Sequence, residues 1–413
     1  MSGGDGGRPR RRDAELVAGD ALRAYALMSV VVFHIAAGVL LLDTGAFDIQ
    51  GTYGRLGGNV MQALQTSVYV FFALSAFLLS RPFVRSAVCG TPFPSVRRYA
   101  RHRVGRIVPA FWAIVVVILA IYGMQGSGPG ELIAFMGFAQ IYDRGDVALL
   151  VDHAWSLDVE MLFYALLVPV ALACAWLCRR GRFGPAGAVA LILAVVSAGG
   201  ALQRVGLDEG VPLSQSALGG LRSFLAGILL AVLVVRFPAP ESWRRLPRWT
   251  SAVLVLIGLV LLWRTPYWAP EGDSRRVLLG TLCGGCILGA VVVRQYRGLP
   301  VWRIFRGPIV AWLGERSYSI FLVHGVVLWA LRDVGSEQPT TARRLAVALA
   351  VMLPAILAAA QVLHVLVERP MMQLSRRPRP KDRRALSIEA PPPVPPVPPV
   401  VPGEVVQPAG AVA

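Results

Sequence analysis

Long apolar runs, broken by short polar segments rich in arginine, recur along most of the chain. A helix needs roughly 20 apolar residues to cross the hydrocarbon of a bilayer. On that measure ten spans are expected, near 21–42, 59–80, 107–124, 156–178, 186–203, 215–235, 249–263, 277–293, 309–331 and 345–367. A further stretch at 131–142, ELIAFMGFAQIY, is too short to cross and reads as re-entrant or interfacial. The pattern predicts an all-α fold, a polytopic membrane bundle of about ten transmembrane helices.

The charges between the runs test this count. With the N-terminus in the cytoplasm and ten alternating spans, the inside segments hold 29 of the 41 Lys and Arg residues. Asp43, Asp48, Asp143, Asp146, Asp152, Asp208 and Glu209 all fall outside. One missed or spurious helix would invert every later loop and destroy this asymmetry. Both termini are therefore expected in the cytoplasm, in an inner or plasma membrane.

Composition agrees: 55% of residues are hydrophobic, only 16% are charged, and mean hydropathy is +0.58. A net charge of +17 invites a nucleic-acid reading. The cations lie between apolar runs, however, which suits loops facing anionic lipid. The lipid bilayer is the expected partner, and nucleic acid is not.

The opening RPRRR segment followed by an apolar run resembles a signal peptide. The run is too long, with no clear cleavage site after it, so it reads as an anchor. Residues 1–20 form a basic cytoplasmic segment, 21–370 the membrane domain, and 371–413 a basic and then proline-rich tail. That tail, APPPVPPVPPVVPGEVV, is expected to be a polyproline-like, disordered extension. Cys174/Cys178 and Cys283/Cys286 lie at helical spacing inside apolar segments. They are read as packing residues rather than a four-thiolate zinc site, and no metal is expected.

Ionisable groups inside spans are costly and so carry information. Arg23 and His34 stand eleven residues apart, three turns plus about 20°, on one helix face and roughly 16 Å apart along the axis. An arginine at the mouth suits phosphate, which its planar fork binds bidentately. A neutral histidine deep in the membrane suits removal of a hydroxyl proton. The same pair also fits a positive-inside anchor and an interhelical hydrogen bond. Further along, HAWSLDVEMLFY opens the fourth span. There Ser156 is placed to cap the helix, with Glu160 one turn further on nearly the same face. Trp155 and Tyr164 suit an aromatic belt. Asp158 adds a second acid, leaving open which carboxylate serves the chemistry. His324 in the ninth span either lines a channel or bonds between helices. Arg222, early in the sixth span, either holds a substrate or pairs with Glu160.

Six segments in order resemble the acyltransferase 3 family of integral membrane O-acyltransferases. GDALRAYALMSVVVFH is similar to the family's opening, with Arg23 and His34 on its Arg/Lys-x10-His pattern. FFALSAFLLSRPF, which includes Arg81, is similar to FF-x-LSGF-LL, with Ala76 for glycine. RHRVGRIVPAFW resembles the RI-x-P segment through Arg106, Ile107 and Pro109. HAWSLDVEMLFY matches WSL-x-x-E-x-x-FY through Trp155, Ser156, Glu160, Phe163 and Tyr164. SYSIFLVHGVV resembles SYSLYLWHxP through Tyr318 and His324, with Phe321 for tyrosine and Gly325 for proline. Glu368-Arg369-Pro370 resembles the closing E-R-P.

The resemblance implies acyl-CoA, with acetyl-CoA the expected form, as donor substrate, and no permanently bound cofactor. The implied acceptor is a hydroxyl-bearing small molecule or glycan, such as a sugar, polysaccharide or macrolide. His34 and Glu160 are the expected catalytic residues. Arg23, Arg81, Arg106, Ser156, Tyr164, Arg222, Tyr318 and His324 are the expected binding residues. A transporter or flippase using the same buried polar groups is the alternative class, and inverted repeats that would favour it are not seen.

Overall fold

The computed structural model describes residues 16, 18–44, 49–124, 128–140, 152–180, 184, 220–268 and 274–376. All the described secondary structure is helical. The predicted fifth span at 186–203, the start of the sixth, residues 1–15 of the basic N-terminal segment and the tail beyond Arg376 lie outside the described residues.

Helix α1 (Gly19–Thr44) is followed by α2 (Ile49–Thr66) and α3 (Val68–Cys89). Next come α4 (Val96–Tyr122), the short α5 (Pro129–Met136) and α6 (Trp155–Arg179). The later elements are α7 (Leu225–Arg236), α8 (Pro240–Arg244), α9 (Thr250–Trp268), α10 (Ser274–Tyr296) and α11 (Pro308–Glu315). The described chain ends with α12 (Ser317–Ala330), α13 (Thr341–Leu363), a π-helical turn at His364–Glu368, and α14 (Arg369–Arg376).

Among the described residues, six helical stretches are long and apolar enough to cross a membrane. They are Gly19–Val39, Leu56–Cys89, Val96–Tyr122, Trp155–Cys178, Arg275–Tyr296 and Thr341–Arg376. Thr250–Thr265 and Ser317–Ala330 are apolar but shorter. The chain is a multi-pass membrane protein. The predicted span at 309–331 is two helices, broken at Arg316 (φ −96°, ψ 7°). There the guanidinium bonds Gln361 Oε1 and Glu315, so the break places a cation with its partners instead of in mid-helix. Within the 131–142 stretch, residues 131–136 belong to the eight-residue α5, and 141–142 lie outside the described residues.

Large apolar side chains remain exposed on α4 (Val116, Ile121) and α9 (Leu256, Leu259), as lipid-facing helices require. Inside the bundle, small residues set the helix spacing. A Cβ added at Gly284 of α10 would collide with the Tyr69 carbonyl of α3, and one at Gly227 of α7 with the Ala73 carbonyl. The three backbones approach closely only because these positions carry no side chain. Helix α3 is thereby wedged against α7 and α10 on one side, with α1 and α6 also packed on it. The buried rings Phe72, Phe163 and Phe224 fill the junction, Phe163 and Phe224 stacking at 4.1 Å.

Candidate active site

Helix α1 supplies one wall of a cleft of about 780 Å³, its open mouth included. Ala26, Leu27, Val30 and His34 line it. Arg23 heads the same stripe, since 23, 26, 27, 30 and 34 follow the i, i+3, i+4, i+7, i+11 spacing of one helix face. Opposite stand Gln65 of α2, Val68, Phe71 and Phe72 of α3, and Tyr318 and Phe321 of α12. His153, in the turn before α6, and Trp155, Ser156, Leu157 and Glu160 of α6 complete the lining.

Three imidazoles from three separate elements converge here. Ring centroids lie 5.1 Å apart for His34 and His324, 5.9 Å for His34 and His153, and 3.9 Å for His153 and His324. Their tautomers follow from their partners. His34 Nδ1 is 2.9 Å from the Val30 carbonyl oxygen and His324 Nδ1 is 2.6 Å from that of Phe321. A carbonyl only accepts, so each Nδ1 carries the hydrogen and each neutral ring keeps its lone pair on Nε2. His153 bonds the Phe321 backbone as well. The Nε2 atoms of His153 and His324 are buried and have no hydrogen-bond partner among the described residues.

The carboxylate of Glu160 is buried and accepts from Ser75 Oγ at 2.9 Å and from the Tyr164 hydroxyl. Those two hydroxyls, rather than Arg222, are its partners. Arg222 sits in the 3₁₀ turn Leu221–Phe224, where its carbonyl accepts from Thr281 Oγ1 at 3.4 Å. Ser156 does not cap α6. The helix starts one residue earlier, with Ala154 at the cap and no side-chain capping bond, and Ser156 Oγ instead donates to the His153 carbonyl at 3.2 Å. That bond ties the histidine turn to the first turn of α6.

A cationic region adjoins the Arg23 end of the stripe. Arg23 pairs with Asp20, and Arg106 and Tyr164 lie within electrostatic reach of it. Arg103 stacks over the Tyr164 ring at 5.7 Å. Tyr164 therefore links Glu160 on the cleft to the arginines. Tyr318 lines the cleft and donates to the Ile107 carbonyl at 2.8 Å, joining α12 to α4. Arg81 lies elsewhere, buried between α3 and α10, where it donates to the Tyr296 hydroxyl at 3.0 Å and covers Phe77.

Sequence reasoning missed His153, Gln65 and Arg276. His153 stood two residues before Trp155 in a segment already singled out. Its weight as a third imidazole depends on contacts between α1, α12 and the turn, which no local spacing encodes. Gln65 was one amide in a predicted apolar span, and Arg276 was counted as an outer-loop charge. In the folded chain Arg276 is buried, with Nη2 2.6 Å from Gln65 Oε1.

Comparison with known proteins agrees with this architecture. The acyltransferase domain family designated Acyl_transf_3 matches residues 17–361. A protein of Komagataeibacter xylinus, named as a membrane-bound transacylase, is 26% identical over 344 residues, covering 77% of this chain and 74% of its own. Proteins of Staphylococcus aureus strains COL and N315, named as O-acetyltransferases, are 23% identical over 345 residues. Those matches cover 75% of this chain and 50% of theirs, so the chain spans half the length of these staphylococcal relatives. No solved structure matches the chain. A match over residues 17–361, together with several apolar helices, identifies the chain as a member of the acyltransferase 3 family of membrane proteins.

Proposed function

We propose that this protein is a membrane O-acyltransferase moving an acyl group from acyl-CoA to a hydroxyl of a sugar, glycan or macrolide-like acceptor. One observation carries the reading: the Nδ1 hydrogen of His34 is held by the Val30 carbonyl on a cleft-lining face, which puts the basic lone pair on Nε2. In this scheme the acceptor oxygen attacks the thioester carbon as its proton passes to His34 Nε2. The tetrahedral centre collapses, the C–S bond breaks, and the thiolate recovers the proton from His34. The proton taken up in the first half of the step is returned in the second, so one imidazole serves as base and then acid.

The CoA phosphates belong to the arginine end, at Arg23 and Arg106, three helical turns along the α1 stripe from His34. With both termini cytoplasmic that end faces the cytoplasm, where acyl-CoA is made. Glu160, held by Ser75 and Tyr164, positions the acceptor. Arg81, engaged by Tyr296, supports the α3–α10 contact.

Labelled acetyl-CoA supplied to membranes that hold the protein at equal expression tests this. His34→Ala is expected to lower acyl transfer by about 10²–10⁴-fold, the usual contribution of a general base. Arg23→Ala is expected to raise KM for acetyl-CoA with a smaller effect on kcat. Full transfer by His34→Ala would remove the base assignment, and no acetyl-CoA consumption by the intact protein would remove the donor.

A further inference from the structure

Every ester or thioester exchange passes through a carbonyl oxygen that gains negative charge, and water exclusion makes a fixed donor there valuable. Among the polar groups of the cleft, Glu160 is an acceptor already engaged, Tyr318 donates to Ile107, and Ser156 donates to His153. Gln65 is different. Its Oε1 lies 2.6 Å from Arg276 Nη2, and a guanidinium only donates, so the amide orientation is fixed with oxygen toward arginine. The two N–H donors of Gln65 are thereby assigned to its other side, on a residue that lines the cleft.

Gln65 and His34 line the same cleft, and the backbone brings Gln65 beside α1. Leu64 packs on Phe33 and Ala37, and Ser67 Oγ donates to the Ala26 carbonyl at 3.2 Å. Gln65, between them, runs alongside the Val30–His34 stretch of α1. Arg276 itself is buried on α10, an expensive place for a cation unless it has work or partners.

From this we infer that Gln65 is a catalytic hydrogen-bond donor to the acyl carbonyl oxygen, and that Arg276 is the positioning residue that aims it. The inference rests on the acyltransferase reading above and deepens it. As the acceptor oxygen bonds to the acyl carbon and its proton moves to His34, the carbonyl π pair moves onto oxygen. The Gln65 N–H stabilises that oxyanion until the pair returns and the thiolate leaves. The guanidinium polarises the amide and strengthens the donor.

The test pairs infrared spectroscopy with kinetics on the purified full chain, using acetyl-CoA labelled with ¹³C at the acyl carbonyl. The bound carbonyl stretch is expected to fall in frequency relative to free acetyl-CoA, and to lose most of that shift in Gln65→Leu. Gln65→Glu separates donor from scaffold, because it keeps a partner for Arg276 and removes the N–H groups. It is expected to lower kcat for acetyl transfer into membranes by about 100-fold, with KM for acetyl-CoA little changed. Arg276→Met is expected to show a smaller loss with the same split. A Gln65→Glu protein with full kcat, or a carbonyl shift unaltered in Gln65→Leu, overturns the donor role while leaving His34 untouched. An intact protein that binds no labelled acetyl-CoA overturns the acyltransferase reading, and this one with it.

Discussion

His153 and His324 pack ring on ring, with centroids 3.9 Å apart, and both bond the Phe321 backbone. The Phe321 carbonyl fixes the tautomer of His324, and the two rings flank the third, His34. If this frame orients His34, losing either ring loosens the base without removing it. His153→Ala and His324→Ala are each expected to lower acyl transfer by about tenfold to 100-fold, less than His34→Ala. Because the two rings are in direct contact, the double variant is expected to lose less than the product of the single losses. Strict multiplicativity in a double-mutant cycle would show that the two rings act separately.

Glu160 is the acceptor for two buried hydroxyls, so its removal leaves Ser75 and Tyr164 without a partner. Glu160→Gln retains one carbonyl oxygen and is expected to fold normally. Glu160→Ala is expected to cost about 1–3 kcal/mol, the penalty for stranding buried polar groups. Thermal unfolding in detergent reads the difference. Equal midpoints for the two variants would mean that the hydroxyls find other acceptors and that the carboxylate does not organise α3 against α6.

Much of this arrangement was legible from the chain. Apolar runs placed α1, α3, α4, α6, α10 and α13, because a bilayer imposes a length that the residues must show. The Arg23 and His34 stripe followed from helix geometry alone, since both belong to one continuous helix. The break at Arg316 was invisible, because the few polar residues of 309–331 do not end its apolar run and the interruption depends on Gln361 in a distant helix. Ser156 had the right chemistry for a cap and the wrong position, as α6 begins on Trp155 after a turn of 3₁₀ helix. The pairing of Gln65 with Arg276 joins residues 211 apart in sequence and could only emerge from the tertiary fold.

The packing of α10 on α3 depends on glycine. A side chain at Gly284 would meet the Tyr69 carbonyl, and backbone cannot yield as a flexible side chain can. Gly284→Val is expected to push α10 off α3 and destabilise the bundle by about 1–3 kcal/mol or more, the cost of overpacking. Cys286→Val, two residues along the same helix at a half-buried position, serves as the control with little effect. Matching melting curves for Gly284→Val and the intact protein would show that α3 and α10 separate without loss.

The π-helical turn at His364–Glu368 offers the sharpest test of how the far side of the bundle supports the cleft. A π turn takes one residue more per hydrogen-bonded loop than an α turn, and so re-aims the side chains that follow. Here it directs Glu368, fully buried, to accept from Ser319 Oγ at 2.6 Å and from His364 Nδ1 at 2.9 Å. Ser319 is next to Tyr318, which lines the cleft and anchors to Ile107, so the carboxylate fixes the register of α12 against α13. Glu368→Ala strands both donors and is expected to cost about 1–3 kcal/mol for each stranded group. Glu368→Gln keeps one acceptor oxygen and is expected to cost less, about 1–3 kcal/mol. Acyl transfer measured below the melting range is expected to fall further for alanine than for glutamine, because Tyr318 and His324 shift with α12. An alanine variant that melts with the intact protein and transfers at its rate would show that the turn is a passive irregularity.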